Sequence, residues 1–147
     1  MHRTYMLEAI AEARLALANG EVPIGAVVVW DGRIIGRGHN RREQWKDPTA
    51  HAEILAIQEA AQYLGQWRLT NASLYVTLEP CPMCAGAIVN ARLKTLVFGA
   101  YDPKAGAVSS LMNLVQDKRL NHFVEVYDGI CQNECSQLLR EFFQDLR

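Results

Sequence analysis

Between Leu74 and Phe98 the chain reads strand, helix, strand: Leu74-Tyr75-Val76-Thr77, a helical stretch from about Cys81 to Asn90, then Thr95-Leu96-Val97-Phe98. A strand joined to the next through a helix forms a βαβ unit, whose crossover is right-handed and whose strands are parallel neighbours. The rest of the chain must supply the other strands and cover the sheet. Ile24 to Trp30 is a continuous β-branched run, Asp31-Gly32 is a tight-turn dipeptide and Arg33 to Gly36 is the return strand, so an antiparallel hairpin precedes the unit. Met6, Ala9, Ile10, Ala13 and Leu17 recur at helical spacing before the Asn19-Gly20 stop. After a polar loop from Asn40 to Pro48, Ile54, Ile57, Ala61 and Leu64 define a second helix, beginning near Thr49 and ending around Gly65. A short helical piece near Leu111 to Val115, a strand from Phe123 to Tyr127 and a closing helix on Cys135, Leu138, Leu139, Phe142 and Leu146 complete the pattern. The expected class is α/β, a mixed sheet of about five strands with helices on both faces. With no repeat or linker, residues 1–147 read as one domain.

Composition narrows the partners. A formal charge of −1 excludes a uniformly basic surface, so a nucleic-acid partner requires a local patch. Arg37, Arg41, Arg42 and Lys46 cluster before the second helix, and Lys104, Lys118 and Arg119 lie in later loops. Glu43, Asp47 and Asp117 are interspersed, so ordinary solvated loop charge is the alternative reading. Trp45 reads as a base-stacking side chain or as one packed on its own loop. The longest strongly apolar run, Ile24 to Trp30, is too short to cross a bilayer and no secretory pattern opens the chain, so no membrane partner and a cytoplasmic location are expected. In that setting four cysteines read as metal ligands, catalytic groups or buried thiols rather than disulfides.

Pro80-Cys81-Pro82-Met83-Cys84 places cysteines at i and i+3 on a first helical turn, where both project to one side and the helix terminus favours thiolates. Core cysteines or a redox Cys-x-x-Cys are the alternatives. His51-Ala52-Glu53, at the start of the second helix, reads alone as a helix cap. Read together, His51, Cys81 and Cys84 give three protein ligands and leave the fourth tetrahedral position open, as in a catalytic zinc site, with Glu53 free to handle protons. Cys131 and Cys135 are expected to be buried thiols, a structural zinc on all four cysteines being the alternative. His39 and His122 are expected to be hydrogen-bonded structural histidines.

The His-x-Glu and Pro-Cys-x-x-Cys pair is the signature of zinc nucleobase deaminases. Asp47 to Ile54, Leu74 to Ile88 and Phe98 to Lys104 resemble the bacterial tRNA-specific adenosine deaminases, a branch of the cytidine/deoxycytidylate deaminase superfamily, over nearly the whole chain. Guanine, deoxycytidylate and riboflavin-pathway deaminases resemble it at the two metal motifs, and free cytidine deaminases usually have Cys where His51 stands. Phe98-Gly99-Ala100-x-Asp102-Pro103-Lys104, Leu111-Met112-Asn113-Leu114, Asn121-His122 and Phe142-Phe143 resemble the tRNA enzymes specifically. Ala107-Val108-Ser109-Ser110 departs from the family's small Gly-Ser step, which leaves the shape of that loop open.

The resemblance implies a three-layer α/β/α cytidine-deaminase-like fold, one Zn2+ per subunit and a homodimer whose subunits share their pockets. It implies hydrolytic deamination of adenosine to inosine at the first anticodon position of a tRNA anticodon stem-loop, with Glu53 as proton shuttle. It further implies that Asn40 hydrogen-bonds the flipped base, that the backbone N–H groups of Ala52 and Cys81 line the pocket, and that Asp102, Lys104 and Phe143 contact flanking nucleotides. A non-catalytic zinc-stabilised RNA-binding module and a free-base or nucleotide deaminase are the competing readings.

Overall fold

In the computed structural model, which describes residues 1–146, the chain forms five strands and five helices. They follow in the order α1 (His2–Ala18), β1 (Gly25–Trp30), β2 (Arg33–His39), α2 (Arg42–Trp45), α3 (Ala52–Leu64), β3 (Ser73–Leu78), α4 (Pro82–Asn90), β4 (Thr95–Ala100), β5 (Glu125–Tyr127) and α5 (Gln132–Asp145). The sheet order is β2-β1-β3-β4-β5; β1 is antiparallel to both neighbours, while β3, β4 and β5 run parallel. The hairpin and the βαβ unit expected from the sequence therefore meet along the β1–β3 seam, where Ala26 faces Val76 and Val28 faces Leu74.

Strand alternation splits the core in two. Ala26, Val28, Leu74, Val76, Leu96 and Phe98 pack with α3 and α4 on one face. Val27, Val29, Tyr75 and Val97 pack with α1 and α5 on the other. This is the three-layer α/β/α arrangement. Among the described residues no helix is long and apolar enough to cross a membrane.

Close packing sets how near α3 lies to the sheet. Its sheet-facing stripe, Ala52, Ala56 and Ala60, is fully buried, and β2 opposes it with Gly36 and Gly38. A Cβ on Gly36 would stand 2.2 Å from the Ala56 carbonyl oxygen, and one on Gly38 2.4 Å from that of Ala52. Only glycine lets the helix lie this close, and the approach fixes the residues beside Ala52.

Three expectations differ from the structure. The second helix starts at Ala52 rather than near Thr49, because the Asp47 carboxylate accepts from the Thr49 N–H and hydroxyl, both at 2.8 Å, and holds the chain in a turn. Leu111 to Val115 forms turns and bends, not a helix; the Leu111 N–H donates to the Gly106 carbonyl and that of Leu114 to the Ala107 carbonyl, a non-helical pattern. The strand expected from Phe123 pairs only over Glu125–Tyr127. The polar loop also contains the one-turn helix α2, whose Glu43 and Gln44 N–H groups donate to the buried Glu21 carboxylate at 3.1 and 2.7 Å.

Candidate active site

The C-terminal ends of β2, β3 and β4 and the start of antiparallel β1 lie at one end of the sheet, the place where open α/β sheets hold ligands. The starts of α3 and α4 converge there. His51 and Cys81 are the respective N-cap residues, both in extended conformation, so each leaves its helix at the terminus. Pro82 occupies the first helical position of α4, where its missing N–H costs little. Cys84 follows one turn later and is fully buried.

These elements bring three of the expected ligands together. The His51 Nδ1 atom is 3.7 Å from Cys81 Sγ and 3.4 Å from Cys84 Sγ, and all three donor atoms lie within 4.8 Å of one another. Among the described residues this is the one group of at least three metal-ligating side chains. The other histidines lie outside it, as expected. His39 is buried with Nδ1 3.1 Å from Glu12 Oε1, and His122 Nε2 lies 2.6 Å from the Leu93 carbonyl oxygen. Cys131 and Cys135 are free thiols outside the group, Cys135 buried and Cys131 partly so, which removes the four-cysteine alternative.

Glu53 sits on the first turn of α3 and is 4% exposed. Burial pushes its carboxyl up to about 7, against the opposing pull of its own backbone N–H, of His51 and of the Cys84 thiol. A carboxyl titrating near neutral pH can both take and give a proton. The thiols share a proton: a hydrogen bond from Cys84 holds Cys81 well below the usual thiol range, and Cys84 is driven far above it. The hydrogen bond to Cys81 raises His51. A coordinating cation would deprotonate both thiols outright.

A cleft of about 520 Å³ opens over this group. Asn40, Ala52, Asp102, Lys104 and Phe143, the positions carried over from the family, all line it with His51, Glu53 and Cys81. The Asn40 side chain donates to the Val22 carbonyl at 3.3 Å and accepts from the Arg42 N–H at 3.1 Å. Asp102 Oδ1 accepts from the N–H groups of Lys104 and Ala105 at 3.0 and 3.2 Å, folding that wall into a turn. The floor and rim include Val22, Ile24, Leu78, Tyr101 and Leu139, which carried no chemical signal in the sequence.

The basic patch is smaller than the sequence suggests. Arg42 and Lys104 line the cleft, but Arg37 is bound to Glu8 and Glu12, and Arg119 pairs with Asp117 at 2.7 Å. Trp45 packs on its own loop, with the Arg41 guanidinium 4.9 Å from its ring centre, and keeps half its surface exposed.

Two buried carboxylates were missed as site components. Glu21 caps α2 on one side of the cleft. Glu79, 2% exposed, accepts hydrogen bonds from the loop that carries Asp102 on the other side. Burial would raise the Glu79 carboxyl, but the hydrogen bonds from Ser110, Asp102 and Ser109 outweigh it and hold it below the ordinary range. A charged residue closing the apolar run Leu74 to Leu78 was the available signal.

A His-Cys-Cys group beside a buried glutamate, at two converging helix starts on an α/β/α sheet, defines a nucleobase-deaminase type of site. Residues 1–147 match the MafB19-like deaminase family. The tRNA-specific adenosine deaminase of Bacillus subtilis is 57% identical, over 97% of this chain and 89% of that protein. A solved structure from studies of A-to-I editing by tRNA:A34 deaminases at the wobble position superposes with a TM-score of 0.89 at 49% identity, covering 92% of this chain and 99% of that one. A guanine deaminase from Nitrosomonas europaea shares the fold at 25% identity and a TM-score of 0.84, covering 95% and 83% of the two chains. The chain belongs to the tRNA-specific adenosine deaminases within the MafB19-like deaminase family.

Proposed function

We propose that residues 1–147 act as one zinc-dependent domain that hydrolyses the target adenosine of a tRNA anticodon stem-loop to inosine at the first anticodon position. The observation that carries this is the placement of Glu53, a buried carboxylate, beside a three-donor metal group within one cleft. Sulfur and nitrogen held tetrahedrally by one zinc, at about 2.3 and 2.05 Å, stand about 3.6 Å apart. The observed 3.4 and 3.7 Å bracket that value, so the residues fit the ion. A three-ligand set leaves one position open, which separates this reading from a closed structural site.

His51, Cys81 and Cys84 would hold the zinc, which when bound would supply acidified water, its pKa lowered from 15.7 toward about 7. Glu53 moves the protons: it accepts the one that the attacking water gives up and passes it to adenine N1, then takes the remaining proton of the new C6 hydroxyl and passes it to the amino group, so that the C6–N bond breaks, ammonia departs and C6 keeps the oxygen as a carbonyl. Asn40, locked by Val22 and Arg42, keeps one amide hydrogen and one carbonyl lone pair for the base. The Ala52 N–H lies in the first turn of α3, where helix geometry leaves it unpaired, and with the Cys81 N–H it lines the base pocket. Asp102, Lys104 and Phe143 meet the flanking nucleotides at the rim. The exposed apolar side chains Met83, Leu111, Met112 and Phe123 support a homodimer, and the substrate class supports a cytoplasmic location.

The test compares a stem-loop bearing adenine at its first anticodon position with free adenosine, guanine and deoxycytidylate, using purified zinc-loaded protein. Inosine formed only in the stem-loop is the expected result. Turnover of a small substrate alone would assign the chain to the chemistry of a sister deaminase, and no turnover with one zinc bound would leave a structural module.

A further inference from the structure

We propose that Glu79 is a positioning residue: its buried carboxylate is the template on which the 102–110 loop folds, and it thereby sets where Asp102 and Lys104 meet the nucleotides beside the target. The inference rests on the RNA reading given above. Glu79 follows the last residue of β3, and its own N–H donates to the Ala100 carbonyl at 2.8 Å, which ties it to the end of β4. One carboxylate oxygen, Oε1, accepts from the Asp102 N–H at 3.0 Å and from the Ser110 hydroxyl. The other, Oε2, accepts from three successive N–H groups, those of Val108, Ser109 and Ser110, at 3.2, 2.7 and 2.8 Å. Consecutive backbone N–H groups that converge in this way form a concave anion site, here filled by the protein's own side chain.

The loop is closed around that anion. Gly106 is in contact with it: an added Cβ would lie 2.3 Å from Glu79 Cδ and 2.4 Å from each oxygen. Both ends of the loop hang on one side chain, with Asp102 at one and Ser110 at the other, so the turn that Asp102 makes with Lys104 and Ala105 inherits its place from Glu79. Glu79 touches none of the atoms assigned to proton transfer. Its effect on the reaction runs through the loop.

The experiment uses the full-length zinc-loaded protein and its Glu79→Gln variant, which keeps the shape but turns an amide N–H2 toward backbone donors. Hydrogen exchange reports the loop directly. The amides of Asp102, Val108, Ser109 and Ser110 are expected to be protected in the parent and to exchange faster in the variant. Steady-state kinetics on the stem-loop is expected to show KM raised about tenfold or more, within the range for misplaced substrate-positioning groups, with a smaller change in kcat. Variant molecules that merely unfold, or lose zinc, would lower kcat at constant KM. Ser110→Ala, which removes one donor and leaves the carboxylate, is expected to move KM in the same direction by less, and it carries the test if Glu79→Gln does not fold. Unchanged exchange in the loop, or a loss confined to kcat, overturns the proposal. Failure of the parent itself to form inosine overturns the RNA reading instead, and the exchange result then stands alone as the test of the loop template.

Discussion

Replacing Gly38 by alanine should disable the site from behind. The new Cβ would start 2.4 Å from the Ala52 carbonyl oxygen and 2.8 Å from Leu55 Cβ, whereas ordinary contact begins at 3.4 Å. The obstacle is backbone of α3, so relief requires the helix start to move by about 1 Å relative to β2. Ala52 lies between His51 and Glu53, while Cys81 caps α4 and Cys84 lies within it, so both stay behind. Overpacking of this kind costs about 1–3 kcal/mol, or about 3–10 °C in Tm for a chain of this size. A displacement of about 1 Å among reacting groups costs about a hundredfold in rate, and ligand distances tolerate only about 0.2 Å. Gly36→Ala is the comparator. It meets Ala56 and Ala60, one turn or about 6 Å farther along α3, so it should cost similar stability with a smaller loss of metal and rate. Thermal melting, zinc content and stem-loop deamination measured on both variants decide the matter. A Gly38→Ala protein with parental zinc content and rate would refute the claim that this contact sets the site.

The remaining predictions concern the side chains themselves. Glu53→Gln should retain zinc and fold by metal analysis and circular dichroism while kcat falls by a factor of about 10²–10⁴, the usual contribution of a positioned proton-transfer group. Cys84→Ser should lose zinc and melt at a lower temperature, because a weakly acidic hydroxyl replaces a buried thiolate donor; a chelator should inactivate the parent and added zinc restore it. Burial pushes the Cys135 thiol up to about 12, whereas an unfolded thiol titrates near about 8.5. The unfolded chain then gives up that proton first, so the thiol's contribution to stability is complete below about pH 8.5 and declines as pH rises toward 12. The Tm advantage of the parent over Cys135→Ser should accordingly shrink from pH 8 to pH 10.5; a constant difference would contradict the buried neutral thiol.

What was legible in the sequence was local. The βαβ unit, the Asp31-Gly32 hairpin and the amphipathic α1 each follow from local patterns, and Pro80-Cys81-Pro82-Met83-Cys84 stands out by its spacing, whereas His51-Ala52-Glu53 reads as a helix cap until it is set beside the cysteines. The errors arose where distant groups decide. Leu111 to Val115 has apolar residues at helical spacing, yet its N–H groups are taken by Gly106 and Ala107. α2 exists because Glu21, far upstream, supplies the acceptors for its first turn. Arg37 reads as part of a phosphate patch until α1 brings Glu8 and Glu12 against it. Glu79 lies in the Leu74 to Ile88 stretch with no role that its neighbours reveal, since all its donors come from a loop more than twenty residues later. The departure noted at Ala107 to Ser110 is part of the same feature, since Val108, Ser109 and Ser110 supply donors to that carboxylate.

If Glu53 and the His51, Cys81 and Cys84 group carry out hydrolysis at adenine C6, the oxygen of the product comes from water, and isotope transfer reads this out. Parent and Glu53→Gln proteins, both zinc-loaded, are incubated with the stem-loop in heavy-oxygen water, and the nucleoside product is weighed by mass spectrometry. The expected product is inosine carrying one heavy oxygen from the parent, with equimolar ammonia, and almost none from the variant. Inosine without the label, or undiminished labelled product from Glu53→Gln, would contradict it.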